Sequence, residues 1–305
     1  MSRVIVLPRD ASRASLHATE LARDARREQR RMFALCSPAV LLVGLLLCLP
    51  VGWLFWLSLL DPDGAFTVEN YTRMAGSISY IRTFQTTFEI AFVVTVVTVL
   101  LGYPLTYCLS QLPPRAVRVA MAFVILPFWT SLLVRTYAWL VLLQRRGVIN
   151  TWLGSLGLIQ EPLPLVHNFL GTTIGMTHIL LPFLVLPLYA AMKAIDRDLL
   201  RAAANCGASP TQTFWRVFVP LSLPGLFAGV VLVFVLCLGF YITPELLGGG
   251  KVLMWAVRIE KSVNLYTNWG AASALGVVLL VAALGLLYLL NRLFRLDRML
   301  VETRA

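Results

Sequence analysis

Ionisable and aromatic side chains set in apolar surroundings are the places to look for chemistry, because burying each of them is costly. Glu89, Arg135 and Glu245 stand within or at the ends of long apolar runs, with Trp129, Tyr137, Trp139 and Tyr241 close to them in sequence. A carboxylate attracts an ammonium group by charge and an aromatic face attracts it by its quadrupole, so the set suits the passage of a cation. Each residue also has a plainer reading. Glu89 fits the outer water interface, Arg135 can snorkel to headgroups or brace a carboxylate, and tryptophans near span ends commonly act as anchors. Glu245, ending a helix in a Gly-rich loop, fits a surface role as well as a pathway role. His178, alone in an apolar run, reads as a hydrogen-bonded packing residue.

Other chemistry finds no support. Gly248-Gly-Gly-Lys251 lacks the first glycine of a phosphate-binding loop and is followed by Val252 where a hydroxyl should reach magnesium. No nucleophile elbow, zinc helix or catalytic carboxylate pair occurs, so no active site, cofactor or metal is expected on this chain. Cys36, Cys48, Cys108, Cys206 and Cys237 show no metal-ligand spacing and read as apolar fillers.

The elements that must carry these residues are membrane helices. Of 305 residues 58% are apolar and 13% charged, and the mean hydropathy is +0.78. A helix needs roughly 20 mostly apolar residues to cross the hydrocarbon. Six runs qualify, at about 33–60, 86–110, 117–143, 169–193, 217–243 and 271–291. The chain is therefore expected to be an all-α membrane protein with six transmembrane helices. Pro50, Pro104, Pro127, Pro182, Pro187, Pro220 and Pro224 fall in or at the ends of these runs. Each removes a backbone donor, which implies kinked helices packed around a pathway.

Charge gives the orientation. Arg3, Arg9, Arg13, Arg23, Arg26, Arg27, Arg30 and Arg31 precede the first run, which places the N-terminus in the cytoplasm. With spans alternating from there, the C-terminus is cytoplasmic too, and 18 of the 26 basic residues fall inside. Bases so scattered over membrane-flanking loops argue against nucleic acid as a partner, despite a net charge of +11. The expected organisation is a basic cytoplasmic tail at 1–31, a membrane domain at 32–292 and a cytoplasmic tail at 293–305. The 1–31 tail is expected to be mobile or to lie on the anionic inner leaflet. It lacks the short apolar core and cleavage site of a secretory signal. Asp61-Pro-Asp-Gly64 reads as an outer turn, and Gln111–Arg115, with Pro113-Pro114, as a tight inner hairpin.

One cytoplasmic segment, about 196–216, has structure of its own. Leu199, Leu200, Ala203 and Cys206 recur at helical spacing, and Gly207 is the residue type that closes a helix in a left-handed turn. Ser209 then caps a second helix, with Pro210 at its first position and Gln212 completing the capping box. Phe214, Trp215 and Phe218 are expected to hold this second helix on the inner membrane face, so that a push on the first helix reaches the next span through Pro220 and Pro224.

Here the sequence resembles the permease subunits of bacterial binding-protein-dependent ABC importers. The signature of that family runs Glu-Ala-Ala, three residues, Gly, nine residues, then Ile-x-Leu-Pro. This chain has Arg201-Ala202-Ala203, Gly207 and Val217-Phe218-Val219-Pro220 at the same spacing. The resemblance covers about 60–292 and is nearest the spermidine/putrescine permeases, through Phe66-Thr-Val-Glu-Asn-Tyr71, Gly102-Tyr-Pro104, Leu126-Pro-Phe-Trp-Thr-Ser131, Val134-Arg-Thr-Tyr137, Leu180-Leu-Pro-Phe183 and Phe240-Tyr-Ile-Thr-Pro-Glu-Leu-Leu-Gly-Gly249. It implies the type I ABC importer permease fold in the bacterial inner membrane, with the short helix docking on an ATPase subunit that binds ATP and magnesium. It also implies a second permease subunit and a soluble periplasmic or lipid-anchored substrate-binding protein. The coupling role falls on Arg201, Ala202, Ala203, Gly207, Ser209 and Pro220. Arg201 departs from the glutamate of the family and reverses a charge at the presumed docking surface. Either the ATPase supplies a compensating acid or Asp198 substitutes.

Polyamine is the expected cargo, with other small amines, amino-acid derivatives or opine-like compounds as alternatives. An ion-gradient-driven secondary transporter would call for midplane ionisable residues and inverted repeats, of which the sequence has little. A membrane anchor for an enzyme complex would need neither kinked spans nor the capped loop.

Overall fold

A computed structural model describes residues 9–61 and 64–294. Pro62 and Asp63 of the expected outer turn, and all but the start of the 293–305 tail, lie outside the described residues. The chain divides after Trp56 into two compact units.

The first unit is nearly all of one helix, α1 (Arg9–Leu57). Helix runs unbroken from the basic segment into the apolar one, so the described part of the expected 1–31 tail continues the first span as helix. Its apolar stretch, Arg31–Leu57, has a mean hydropathy of 2.5 and is 0% buried.

In the second unit, α2 (Glu69–Gly76) precedes α3 (Ile78–Gln111), which starts two turns before the expected second span. Pro113 and Pro114 then make the tight hairpin, and α4 (Pro114–Ile125) begins with proline at its first position, where a missing N–H costs nothing. The expected third span, 117–143, is not one helix. Residues 126–129 form a 3-10 turn, Thr130 is extended, and α5 (Leu132–Leu143) leaves in a new direction, the axis turning by 100°. Pro127 lies in the 3-10 turn that leads into the break and has no N–H to donate to the preceding helical turn. The freed Pro127 carbonyl is taken by the Thr130 backbone N–H at 3.2 Å and the Thr130 hydroxyl at 2.8 Å.

After α6 (Val148–Ser155) comes α7 (Phe169–Ala194), capped by the Asn168 side chain, which accepts from the Gly171 N–H. Next are α8 (Arg197–Asn205), α9 (Pro210–Thr213), a π-helical turn over 214–218 and α10 (Val219–Leu238). The fifth span ends at Leu238 and not near 243. It is followed by α11 (Ile242–Gly248), α12 (Trp255–Asn264) and α13 (Trp269–Phe294). Among the described residues five helices are long and apolar enough to cross a membrane, or six if the bent pair counts as one span. Of the prolines expected to kink, Pro104, Pro182, Pro187 and Pro224 sit inside continuous helices, and Pro127 alone marks a break.

The core is the meeting of α3, α7 and α10. Ile90, Ala91 and Val94 from α3, Met176, Leu180 and Leu184 from α7, and Val233 and Cys237 from α10 are fully buried there. Small residues permit the approach, as at many membrane-helix contacts. A Cβ on Gly225 would lie 2.3 Å from that of Ala191, and one on Gly229 would lie 2.8 Å from a Leu184 methyl. Hydroxyls satisfy backbone groups in this dry interior. Thr87 donates to the Thr83 carbonyl and accepts from the Trp255 N–H, each at 2.8 Å, while the Trp255 indole donates to the Leu275 carbonyl at 2.9 Å. Cys237 is buried in this core, and Cys36, Cys48, Cys108 and Cys206 are exposed.

Candidate functional site

Two groups of residues have sequence patterns that suggest function: the 196–220 segment and the ionisable residues of the spans. In the first, the capping and helix-closing signals of the sequence become geometry. Asp196 caps α8 by accepting from the Asp198 N–H at 2.9 Å. At the other end Gly207 adopts φ +84°, the Ala208 N–H reaches the Ala203 carbonyl at 3.1 Å and the Gly207 N–H reaches that of Ala204 at 2.9 Å. This pair of bonds is the Schellman closure, which needs a residue tolerant of the left-handed region at that point. Ser209 and Gln212 then form the reciprocal capping box: the Ser209 N–H donates to Gln212 Oε1 at 3.0 Å and the Gln212 N–H to Ser209 Oγ at 3.3 Å. Pro210 occupies the first turn of α9.

From α9 the helix passes through the π turn into α10, so residues 210–238 form one continuous rod. No non-helical residue interrupts the run from Pro210 to the membrane helix. The rod packs at its N-terminal end against aromatic residues of α3. Tyr107 meets Phe214 at 5.0 Å and Phe218 at 5.1 Å, both edge-to-face, and Phe214 stacks on Phe218 at 5.9 Å. The hydroxyls of Tyr103 and Ser222 lie 3.0 Å apart, a second tie between α3 and α10. Sequence reasoning missed Tyr103 and Tyr107; the Gly102-Tyr-Pro104 stretch was the available signal. Trp215 does not join this packing beyond its neighbour Phe214, and it is 64% exposed.

No residue of α8 is fully buried. Ala202 and Leu199 are exposed, Ala203 is half-buried, and Leu200 turns inward against the cluster of Leu188, Met192 and Phe218. Thus α8 is a short helix held at one edge with an open outer face. Arg201 pairs with Asp198 at 2.9 Å on that helix, with both side chains largely exposed. Asp198 is therefore the immediate partner of the reversed charge.

The ionisable residues of the spans are only partly gathered. The Thr136 and Thr243 hydroxyls, 3.1 Å apart, join α5 to α11. This joins the stretch bearing Arg135 and Tyr137 to the one bearing Tyr241 and Glu245. Tyr137 and Tyr241 are exposed, and Arg135 is half-buried with its Nε lacking a hydrogen-bond partner among the described residues. Trp129, on the turn at the broken span, is 88% exposed. Glu89 lies exposed on α3, and no hydrogen bond or ion pair among the described residues joins it to the others.

Two expectations need correction. Glu245 does not end a helix. It sits in the first turn of α11, where the helix dipole favours an acid, and pairs with Lys261 of α12 at 3.3 Å. Its charge is thus matched within the chain. His178 is not hydrogen-bonded: its Nδ1 is buried without a partner among the described residues, and the ring packs edge-on against Trp139 at 5.6 Å. Among the described residues no group of three or more potential metal ligands occurs.

The chain is similar to known proteins in sequence and in fold. Residues 101–296 match the family described as "Binding-protein-dependent transport system inner membrane component". The chain is 34% identical over 253 residues to the Haemophilus influenzae spermidine/putrescine transport system permease protein PotB, covering 79% of this chain and 88% of that one. It is 34% identical over 239 residues to the Escherichia coli K12 protein of the same name, covering 76% and 86%. A structure of a bacterial alginate ABC transporter, in complex with an alginate pentasaccharide-bound periplasmic protein, superposes with a TM-score of 0.71 at 18% identity. It covers 90% of this chain and 96% of that one, and a likeness at this identity speaks for the fold alone. Both the match over residues 101–296 and the identity to relatives over most of the chain lead to one assignment: the chain belongs to the family of inner-membrane permease components of binding-protein-dependent ABC importers.

Proposed function

We propose that this chain forms half of the translocation pathway of an ATP-driven polyamine importer. The observation that carries the substrate is the 34% identity, over 79% of the chain, to a spermidine/putrescine permease. In this reading a second, similar permease completes the path, a substrate-binding protein delivers the solute on the outer side, and ATP and magnesium are bound by a separate ATPase subunit. Both termini face the cytoplasm, in keeping with the basic residues that flank the spans.

The open face of α8, around Ala202 and Ala203, docks on the ATPase. Closure of the ATPase pair pushes α8, Gly207 sets the angle to α9, the Ser209 cap keeps α9 intact, and the rod through Pro220 carries the displacement to the core. Solute contacts come from Glu89 and from the exposed aromatic rings Trp129, Tyr137 and Tyr241, which suit a chain of ammonium groups. Arg135 lines the same stretch as a polar but like-charged neighbour. Glu245, already paired with Lys261, holds α11 against α12 and offers a cation less than Glu89 does.

The test is uptake of labelled spermidine into proteoliposomes holding this permease with its partner permease, ATPase and binding protein. The reading expects uptake that requires ATP inside the vesicle or its topological equivalent. Uptake that follows a proton gradient without ATP, or a binding protein whose melting temperature shifts only with anionic ligands, would overturn it.

A further inference from the structure

The reversed charge at Arg201 has a structural setting that bears on more than ATPase docking. Behind α8, between it and the inner ends of α3 and α7, lies a cavity of about 350 Å³. Ser110 and Gln111, at the end of α3, form one side of it. Met192, Ile195, Leu200 and Phe218 give it an apolar floor, and Lys193, Arg197 and Arg201 bring three bases and no acid to its lining.

Of the three bases Arg201 is already paired, with Asp198, and the other nearby acid, Asp196, serves as the cap of α8. Among the described residues neither Lys193 nor Arg197 has an ion-pair partner. Lys193 lies in the last turn of α7, where the helix dipole offsets roughly half a charge. Arg197 has no such relief, since it stands at the first position of α8, at the positive end of that helix. A cluster of this kind is electrostatically incomplete, and a glutamate at position 201 would have balanced part of it.

We propose that this cleft seats the phosphate of an anionic phospholipid of the inner leaflet, with the first methylenes of its acyl chains on the apolar floor. The cleft sits at the inner ends of two membrane helices, where the cytoplasmic leaflet is itself anionic and where basic pockets between helices take up acidic headgroups. The mixed lining matches an amphiphile better than a free ion, which would leave Leu200 and Phe218 facing water. The lipid then wedges between α8 and the body of the permease, so it stiffens the arm through which the ATPase acts.

The test uses the full-length chain in nanodiscs of phosphatidylcholine with a small fraction of phosphatidylglycerol. Native mass spectrometry counts the anionic lipids retained. Lys193→Gln with Arg197→Gln is expected to lower retention by about fivefold for each base removed. The charge-conserving pair Lys193→Arg and Arg197→Lys is expected to keep it, which separates a charge effect from misfolding. Arg145→Gln with Arg146→Gln, away from the cleft, is expected to retain as much as the wild type. Equal retention by the Lys193→Gln, Arg197→Gln variant and the wild type overturns the proposal. So does displacement of the lipid by millimolar inorganic phosphate, which would make this a soluble-anion site. Loss of a co-purifying ATPase subunit with lipid retention unchanged would make the cleft a protein contact and overturn it as well.

Discussion

Gly207 offers the sharpest prediction because its role is separable from packing. Its backbone lies at φ +84°, and a methyl group built on it meets no atom within 4 Å. A substitution there therefore causes no clash and acts only through the left-handed backbone, which costs an L-residue about 1–2 kcal/mol. That strain would shift the equilibrium between the α8–α9 angle seen here and relaxed alternatives by roughly 5–30-fold. Asparagine visits the left-handed region several times more readily than other residues, whereas a β-branched residue is a true outlier there. The ratio of substrate-stimulated to basal ATP hydrolysis, measured with uptake in the same proteoliposomes, should fall in the order wild type, Gly207→Asn, Gly207→Ala, Gly207→Val. Co-purification of the ATPase would confirm that assembly survives. If the Gly207→Val variant couples as well as the wild type, the angle set at Gly207 is irrelevant and the lever reasoning fails.

Other perturbations reach other parts of the account. Ser209→Ala removes the acceptor of the Gln212 N–H and should cost about 1 kcal/mol at the α9 start, seen as weaker coupling with unchanged expression. Gly225→Val would force a side chain into Ala191, whose Cβ lies 2.3 Å from the added atom. The resulting overpacking should destabilise the α7–α10 contact by about 1–3 kcal/mol, read as a lower midpoint of thermal unfolding. Glu89→Gln should reduce spermidine uptake severalfold and Glu89→Asp should restore most of it; equal uptake in all three would remove Glu89 from the path.

Features set by neighbours in sequence were legible before the structure. The α8 closure at Gly207 and the Ser209–Gln212 box depend on residues within a few positions of one another, and each residue type has one local reason to be there. The tight hairpin at Pro113-Pro114 was equally local. The break at 126–131 was not, because the residues on both sides of Pro127 are apolar and hydropathy cannot tell a bent pair of helices from a straight one. Nor could spacing show that other prolines, such as Pro182 and Pro187, would be absorbed into a continuous α7. The π turn at 214–218 carries Phe214 and Phe218, which pack on Tyr107 of α3, and the Glu245–Lys261 pair joins two helices separated by a glycine turn. Such pairings are decided by the tertiary fold. His178 was misjudged for the same reason: its surroundings are set by Trp139, on another helix.

The claim on which the rest depends is that the open face of α8 meets an ATPase. A photo-reactive phenylalanine analogue at Ala202, in the assembled importer, tests it directly. The account predicts an ultraviolet-induced adduct with the mass of permease plus ATPase subunit, in a yield that changes when ATP is added, and none from the same probe at exposed Trp152 on α6. An Ala202 probe that gives no such adduct in complexes still active in ATP-dependent uptake would contradict it.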